Sequence, residues 1–470
     1  MFERLFCLRD NRTSVRTELL AGVTTFLTMA YIIIVQPAVL SGRMFGRETG
    51  LDFGAVMTAT CLSAALATAI MALYARYPIA QAPGMGENFF FVFTAIPAAT
   101  AAGFTNAWQV ALGTVFLSGV VFLILSAVGL REMIFNAISP SLKHGVAGGI
   151  GLFIAFIGLQ NAGLVVKDPG TAVKLNARFA SPDLVVFFFG LLSTAILHAR
   201  RVRGAILWGI AASTALALAL KVSLPHLQPL AASAAVAESK LMTQFQWAKG
   251  VLAAPPPLSP TFLQLDLVGA LSPAMLPVGF VFLFMLMFDA IGTLIGVCEQ
   301  AGFMQANKLP RARQAMISDA AGTVAGALLG TSTVTSFIES AAGVEQGGRT
   351  GLTGLVVAAL FLLSLFFSPL VTMLGSYPPL TAPALVMVGA LMARNAGRID
   401  WHDVTEAVPA FLVLVGIPLS FSIADGLALG FIAAPLIKLG SGRGQEVGWL
   451  TYLLAGVLLA YFVLLRGQMG

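Results

Sequence analysis

Tyr77-Pro-Ile-Ala-Gln-Ala-Pro-Gly-Met-Gly-Glu-Asn88 sets two prolines, two glycines and the polar side chains of Gln81, Glu87 and Asn88 between stretches that are otherwise apolar. Gly330-Thr-Ser-Thr-Val-Thr-Ser-Phe-Ile-Glu-Ser340 does the same in the second half of the chain, with hydroxyl and β-branched residues alternating. Neither stretch suits a regular helix facing lipid, because a backbone N–H or C=O left unpaired in hydrocarbon costs several kcal/mol. Each has to be buried in protein. Paired interruptions of this kind, at corresponding places in two halves, mark broken helices that meet at the membrane midplane and form a binding site.

The surroundings agree with a membrane setting. Hydrophobic residues are 58% of the 470 and charged residues 10%, less than half the charged share of an ordinary soluble protein. Apolar stretches near the length of a membrane span fall at about 18–40, 54–74, 107–129, 144–162, 183–199, 204–221, 271–298, 350–374, 404–422, 424–439 and 447–465. Shorter or broken ones lie at 79–98, 315–348 and 380–394, the middle one long enough for a helix followed by a second, interrupted element. The fold class expected is an all-α polytopic membrane protein of about 14 spans with one extra C-terminal helix. Its divisions are 1–221 for the first half, 222–266 for an external connecting loop, 267–440 for the second half and 441–470 for the final helix.

The net charge of +6 is read as positive-inside bias rather than as a nucleic-acid surface. Arg4, Arg9, Arg12, Arg16, Arg200, Arg201, Arg203, Arg394 and Arg398 all fall on one side if the N-terminus is cytoplasmic. That places the chain in the inner or plasma membrane with its first helix retained. The three cysteines and four histidines are scattered, so neither a metal site nor a disulfide framework is expected. No catalytic group and no cofactor is read from the chain. Gly322, Gly326 and Gly330 read as a close-packing face.

Most acidic residues sit in loops or at helix ends, whereas Glu87, Asp289 and Glu339 lie within segments at membrane depth. A carboxylate there costs about 2.5 to 3.5 kcal/mol even on the insertion scale, and intramembrane acids are functional by default. Asp289 follows the unbroken apolar run Phe280–Phe288, and Glu339 opens the second broken helix. A purely structural role, capping a half-helix or bonding a neighbouring helix, stands beside the functional one for each acid. Asn88 suits a ligand contact or a helix cap. Phe89, Phe90 and Phe91 suit core packing or, for one of them, stacking on a planar ligand.

Thr24-Thr-Phe-Leu-Thr-Met-Ala-Tyr31, Ala82-Pro-Gly-Met-Gly86 with Asn88, Phe288-Asp-Ala-Ile-Gly-Thr-Leu-Ile-Gly-Val297, Leu309-Pro-Arg-Ala-Arg313 and Gly330-Thr-Ser-Thr-Val-Thr-Ser-Phe-Ile-Glu-Ser-Ala-Ala-Gly343 resemble the AzgA-like adenine/guanine/hypoxanthine permeases of the nucleobase-ascorbate transporter superfamily. The resemblance implies two inverted repeats of seven spans, a core and a gate domain, and short strands in spans 3 and 10. It implies proton-coupled import of purine nucleobases by an elevator movement of core against gate, and allows a homodimer. Carried over, Asp289, Glu339, Asn88, Phe89, Glu87 and Ser340 would bind substrate, with Glu339 or Asp289 carrying the proton. Glu406, before Ala407-Val-Pro-Ala-Phe411, resembles a further polar position. Glu87 departs from the family, where an apolar residue is expected.

The competing class of the same architecture is a sulfate-type anion transporter, but buried acids are poor partners for an anion. An enzyme would need a metal cluster or a nucleophile/base pair, and neither is present in the sequence pattern.

Overall fold

The structure is a computed structural model that describes residues 6–128, 139–227, 233–303 and 310–460. Helices begin where capping chemistry allows. Ser14 accepts from the Thr17 amide ahead of α1 (Val15–Met29). After α2 (Ile32–Leu40), Asp52 accepts from Ala55 N at 2.8 Å and caps α3 (Phe53–Ile70). These side chains satisfy amides that a helix start leaves without a partner. A π-turn, Met71–Ala75, then ends the second span at Arg76, whose φ is 58°.

The first broken segment follows as β1 (Gln81–Pro83), α4 (Met85–Phe90), a π-turn over Phe91–Ala95 and α5 (Ile96–Ala101). Next come α6 (Ala107–Val128), α7 (Pro140–Asn161), a hairpin of β2 (Val165–Asp168) and β3 (Ala172–Leu175), α8 (Pro182–Ala199) and α9 (Ala205–Ser223). The second half holds α10 (Leu276–Gln300), α11 (Ala312–Leu329), β4 (Val334–Ser336), α12 (Ser340–Glu345) and α13 (Gly351–Ser364). It closes with α14 (Pro378–Ala393), α15 (Val404–Ser420), α16 (Ile423–Gly440) and α17 (Trp449–Ala460). The end of the last expected span, 461–465, lies outside the described residues. Among the described residues, eight helical stretches are long and apolar enough to cross a membrane.

The first span runs as one helical stretch from Val15 to Leu40, tightened between α1 and α2 where Ile33 and Ile34 donate three residues back, to Ala30 and Tyr31. One feature differs from the sequence reading, the β2–β3 hairpin. Its strands pair antiparallel from Val165↔Leu175 to Asp168↔Ala172, and Lys174 lies 2.6 Å from Asp168 across it.

The helices sort into two bundles. In one, α11 packs on α6 and α3, α13 on α1 and α3, and α10 on α6. In the other, α7 packs on α14 and α15, α15 on α16, and α8 on α9 and α14. Small residues let backbones approach closely where no hydrophobic driving force separates helix from lipid. A Cβ on Gly389 of α14 would sit 2.4 Å from the Gly151 carbonyl of α7.

The long connection between the halves is tied to both bundles. Asp183 accepts from Lys240 N, Leu241 N and the Tyr377 hydroxyl on one side. On the other, Thr58 donates to Pro256 O and Thr261 to Leu329 O.

The two broken segments meet. β1 pairs with β4 antiparallel, Gln81 opposite Ser336, Ala82 opposite Thr335 and Pro83 opposite Val334. Gly84 N donating to Thr333 O and Phe337 N donating to Ala80 O extend the ladder at its two ends. These bonds satisfy backbone groups that hydrocarbon would leave unpaired. Gly322 and Gly326 of α11 lie against Ala67 and against β4.

Candidate functional site at the crossed strands

Each strand of the pair leads into a short helix, and the antiparallel pairing sets the two helix starts at opposite ends of the ladder. Glu87 lies in the first turn of α4 and is 3% exposed. It bends back over its own helix start, because a Cβ on Gly84 would meet Glu87 Oε2 at 2.3 Å. Glu339 is the N-cap residue of α12 and is half-buried. Its Oε1 accepts from the Tyr31 hydroxyl at 2.8 Å.

Asp289, on α10, is half-buried and interacts electrostatically with Glu87, Glu339 and Asp319. It faces the Thr335 hydroxyl of β4. None of the ion pairs among the described residues involves any of these four acids.

Asn88 and Ser340 have structural partners. Asn88 is fully buried; its amide donates to Gln36 Oε1, and its carbonyl accepts from the Ser332 hydroxyl. Gln36 Nε2 donates in turn to Thr331 Oγ1 at 2.9 Å and to Ser332 Oγ at 3.3 Å. This knot joins α2, α4 and the approach to β4. Ser340 Oγ accepts from Ala80 N at 3.0 Å and braces β1.

Phe89 is fully buried and belongs to an aromatic seam rather than to the acids. Its ring lies 6.3 Å from Phe93 and 6.1 Å from Phe153. Glu406 is not brought to the crossed strands. Its carboxylate lies 2.7 Å from Lys438, and the two line a cavity of about 280 Å³ with Ser139, Thr405, Glu446 and Thr451.

The structure adds residues that the sequence reading passed over. Asp319 of α11 is fully buried and accepts from Ser336 Oγ at 2.8 Å and from the Gln81 amide. The rule that flagged Asp289 applies to it equally, since it stands well inside an apolar helix. Tyr31 and Gln36 are the others. At the strand pair, Gln81 Oε1, Asp319 Oδ2 and Thr333 Oγ1 are buried without a hydrogen-bond partner among the described residues. Buried polar atoms are ordinarily paired, so such a group calls for water, an ion or a ligand.

A strand pair lined by acids and bare hydroxyls, packed on α3, α10 and α11 within a bundle of membrane-length apolar helices, defines a multi-pass membrane transporter. The Xan_ur_permease family model, described as a permease family, matches residues 16–429, and the chain belongs to that family. This is the nucleobase-ascorbate transporter family, one of transporters and not of enzymes.

The guanine/hypoxanthine permease PbuG of Bacillus subtilis is 43% identical over 97% of this chain and 98% of its own. The adenine permease AdeP of Escherichia coli is 39% identical over 95% of this chain and 92% of its own. A protein of Methanocaldococcus jannaschii named only as a permease is 47% identical over 99% of both. In fold, the chain is similar to the transmembrane domain of a cyanobacterium bicarbonate transporter, BicA. The TM-score is 0.59 at 15% identity, over 89% of this chain and 97% of that one.

Proposed function

We propose that this protein imports purine nucleobases, adenine, guanine or hypoxanthine, together with a proton. The observation that carries the reading is that half-buried Asp289 and Glu339 interact beside the strand pair with no basic partner among the described residues and with the unpartnered Thr333 hydroxyl in the same pair. A purine offers ring N–H donors to the carboxylates and acceptors to the Thr333 hydroxyl, a match of inventory on both sides. Sulfate, which carries no proton near neutral pH, offers no donor to a carboxylate. Acids close together, partly removed from water and with no base beside them among the described residues, share protons rather than all carrying charge. A proton shared among them is the coupling device, taken up with substrate and released inside.

In this reading the bundle of α1, α3, α6, α10, α11 and α13 is the core, and the bundle of α7, α8, α9, α14, α15 and α16 is the gate. Residues 1–221 and 267–440 are inverted repeats of seven spans each, joined by 222–266, with 441–470 as a C-terminal helix. The core slides against the gate to carry the site across a cell membrane, with the N-terminus in the cytoplasm. Asp289 and Glu339 contact the base, while Asn88, Ser340 and Glu87 shape the half-helix starts.

The test is uptake in cells lacking their own purine carriers, offered hypoxanthine, guanine, adenine, uracil, ascorbate and sulfate. Saturable purine uptake that an uncoupler abolishes is expected. Saturable sulfate uptake without purine uptake contradicts the substrate class, and purine uptake indifferent to the uncoupler contradicts proton coupling.

A further inference from the structure

Tyr31 stands at the joint between α1 and α2, where the winding tightens for one turn. Its side chain is 1% exposed. Its hydroxyl finds one partner among the described residues, Glu339 Oε1 at 2.8 Å. One turn earlier, Thr28 Oγ1 reaches the Glu339 backbone carbonyl at 3.4 Å. The first span therefore holds both the side chain and the main chain of Glu339, from more than three hundred residues away in sequence. Glu339 needs such support. It caps a helix of only six residues and is half-buried, and Tyr31 is the side chain that holds its carboxylate among the described residues.

We propose that Tyr31 is a positioning residue that fixes the Glu339 carboxylate for recognition of the purine, a reading that rests on the function proposed above. With Oε1 occupied by the phenol, Glu339 presents its second oxygen, Oε2, to the ligand. One fixed acceptor pairs with one ring N–H. A free carboxylate would offer either oxygen in many orientations, and a hydrogen bond loses strength steeply with misalignment. Tyr31 does not touch the ligand and acts through Glu339.

The test uses purified full-length protein and hypoxanthine binding by calorimetry. Tyr31→Phe keeps the ring in its buried place and removes only the donor. A hydrogen bond to a charged group corresponds to at least about tenfold in binding, so Kd is expected to rise about tenfold. In a Glu339→Gln background the same substitution is expected to change Kd by less than about twofold, because coupled residues are non-additive. Wild-type affinity in Tyr31→Phe, or a full tenfold effect in both backgrounds, overturns the proposal.

A second measurement needs no ligand. With 3-fluorotyrosine at position 31, the ¹⁹F resonance is expected to move on Glu339→Gln and to stay in place on Arg443→Gln. A resonance that Glu339→Gln leaves unmoved overturns the Tyr31 assignment whatever the protein carries. Absence of hypoxanthine binding by the wild type, with the ¹⁹F shift present, overturns the purine reading and leaves the contact standing.

Discussion

A Cβ on Gly84 would fall 2.3 Å from the buried Glu87 carboxylate, which would have to shift to admit it. Gly84→Ala is expected to cost about 1 to 3 kcal/mol, the usual range for overpacking, read as a lower Tm of the purified protein. In a Glu87→Ala background most of that loss should vanish, because the clashing group is gone. Asn88→Ala is expected to act on stability as well. It leaves Gln36 and Ser332 buried with lost partners, at about 1 to 3 kcal/mol for each unsatisfied group, and a thermal melt reads it.

At this scale the sequence was legible wherever a charge stood alone in an apolar run, as with Asp289 and Glu339. Asp319 obeyed the same rule but was passed over among the acids assigned to helix ends. Tyr31 and Gln36 were not legible, because each is an unremarkable residue in an apolar run until the fold sets Glu339 or Ser332 beside it.

Between elements, the meeting of two broken segments could be anticipated because Pro, Gly and β-branched residues exclude a lipid-facing helix in both, whereas the strands themselves were implied only by the family resemblance. The β2–β3 hairpin went unread although Asp168-Pro-Gly170 is turn chemistry, since a search for membrane-length apolar runs does not look for short polar strands. The α7–α14 contact depends on Gly151 and Gly389 meeting backbone to backbone. Gly389→Ala is expected to force the two helices apart and lower Tm, while Gly397→Ala, where a Cβ meets nothing within 4 Å, should leave it unchanged.

The turn between α16 and α17 is held by charge. Hydrogen bonds from Thr405 and then Arg443 keep the Asp403 carboxyl down at about 2, below its ordinary value near 3.9. Its contribution is therefore complete above about pH 4 and is lost as pH falls through about 2. Hydrogen exchange at Gly442–Glu446, corrected for the intrinsic pH effect, should show unchanged protection between pH 7 and pH 5. Arg443→Gln should abolish that protection at pH 7.

For the whole molecule, the charge distribution marked a membrane protein, but hydropathy could not sort spans into bundles. α3 and α7 are equally apolar to the eye and belong to different ones. Only the family resemblance suggested a core and a gate. The two bundles meet along an aromatic seam, with Phe93 of the first segment 6.1 Å from Phe153 of α7 and 6.0 Å from Phe421. If one bundle slides on the other, a covalent bridge across this seam stops transport. A Phe93→Cys, Phe153→Cys pair, in protein whose Cys7, Cys61 and Cys298 are replaced by serine, is expected to lose uptake when bridged by a short thiol-specific linker that reduction cleaves. Uptake should return on reduction.

The most direct test of the central claim, that Asp289 and Glu339 hold the purine, is counterflow of labelled hypoxanthine in proteoliposomes, which needs no proton gradient. Wild-type protein is expected to exchange internal for external hypoxanthine. Asp289→Asn and Glu339→Gln are each expected to raise the concentration for half-maximal exchange at least about tenfold, the effect of losing a charged hydrogen-bond acceptor. Exchange at wild-type concentrations in both variants would contradict it.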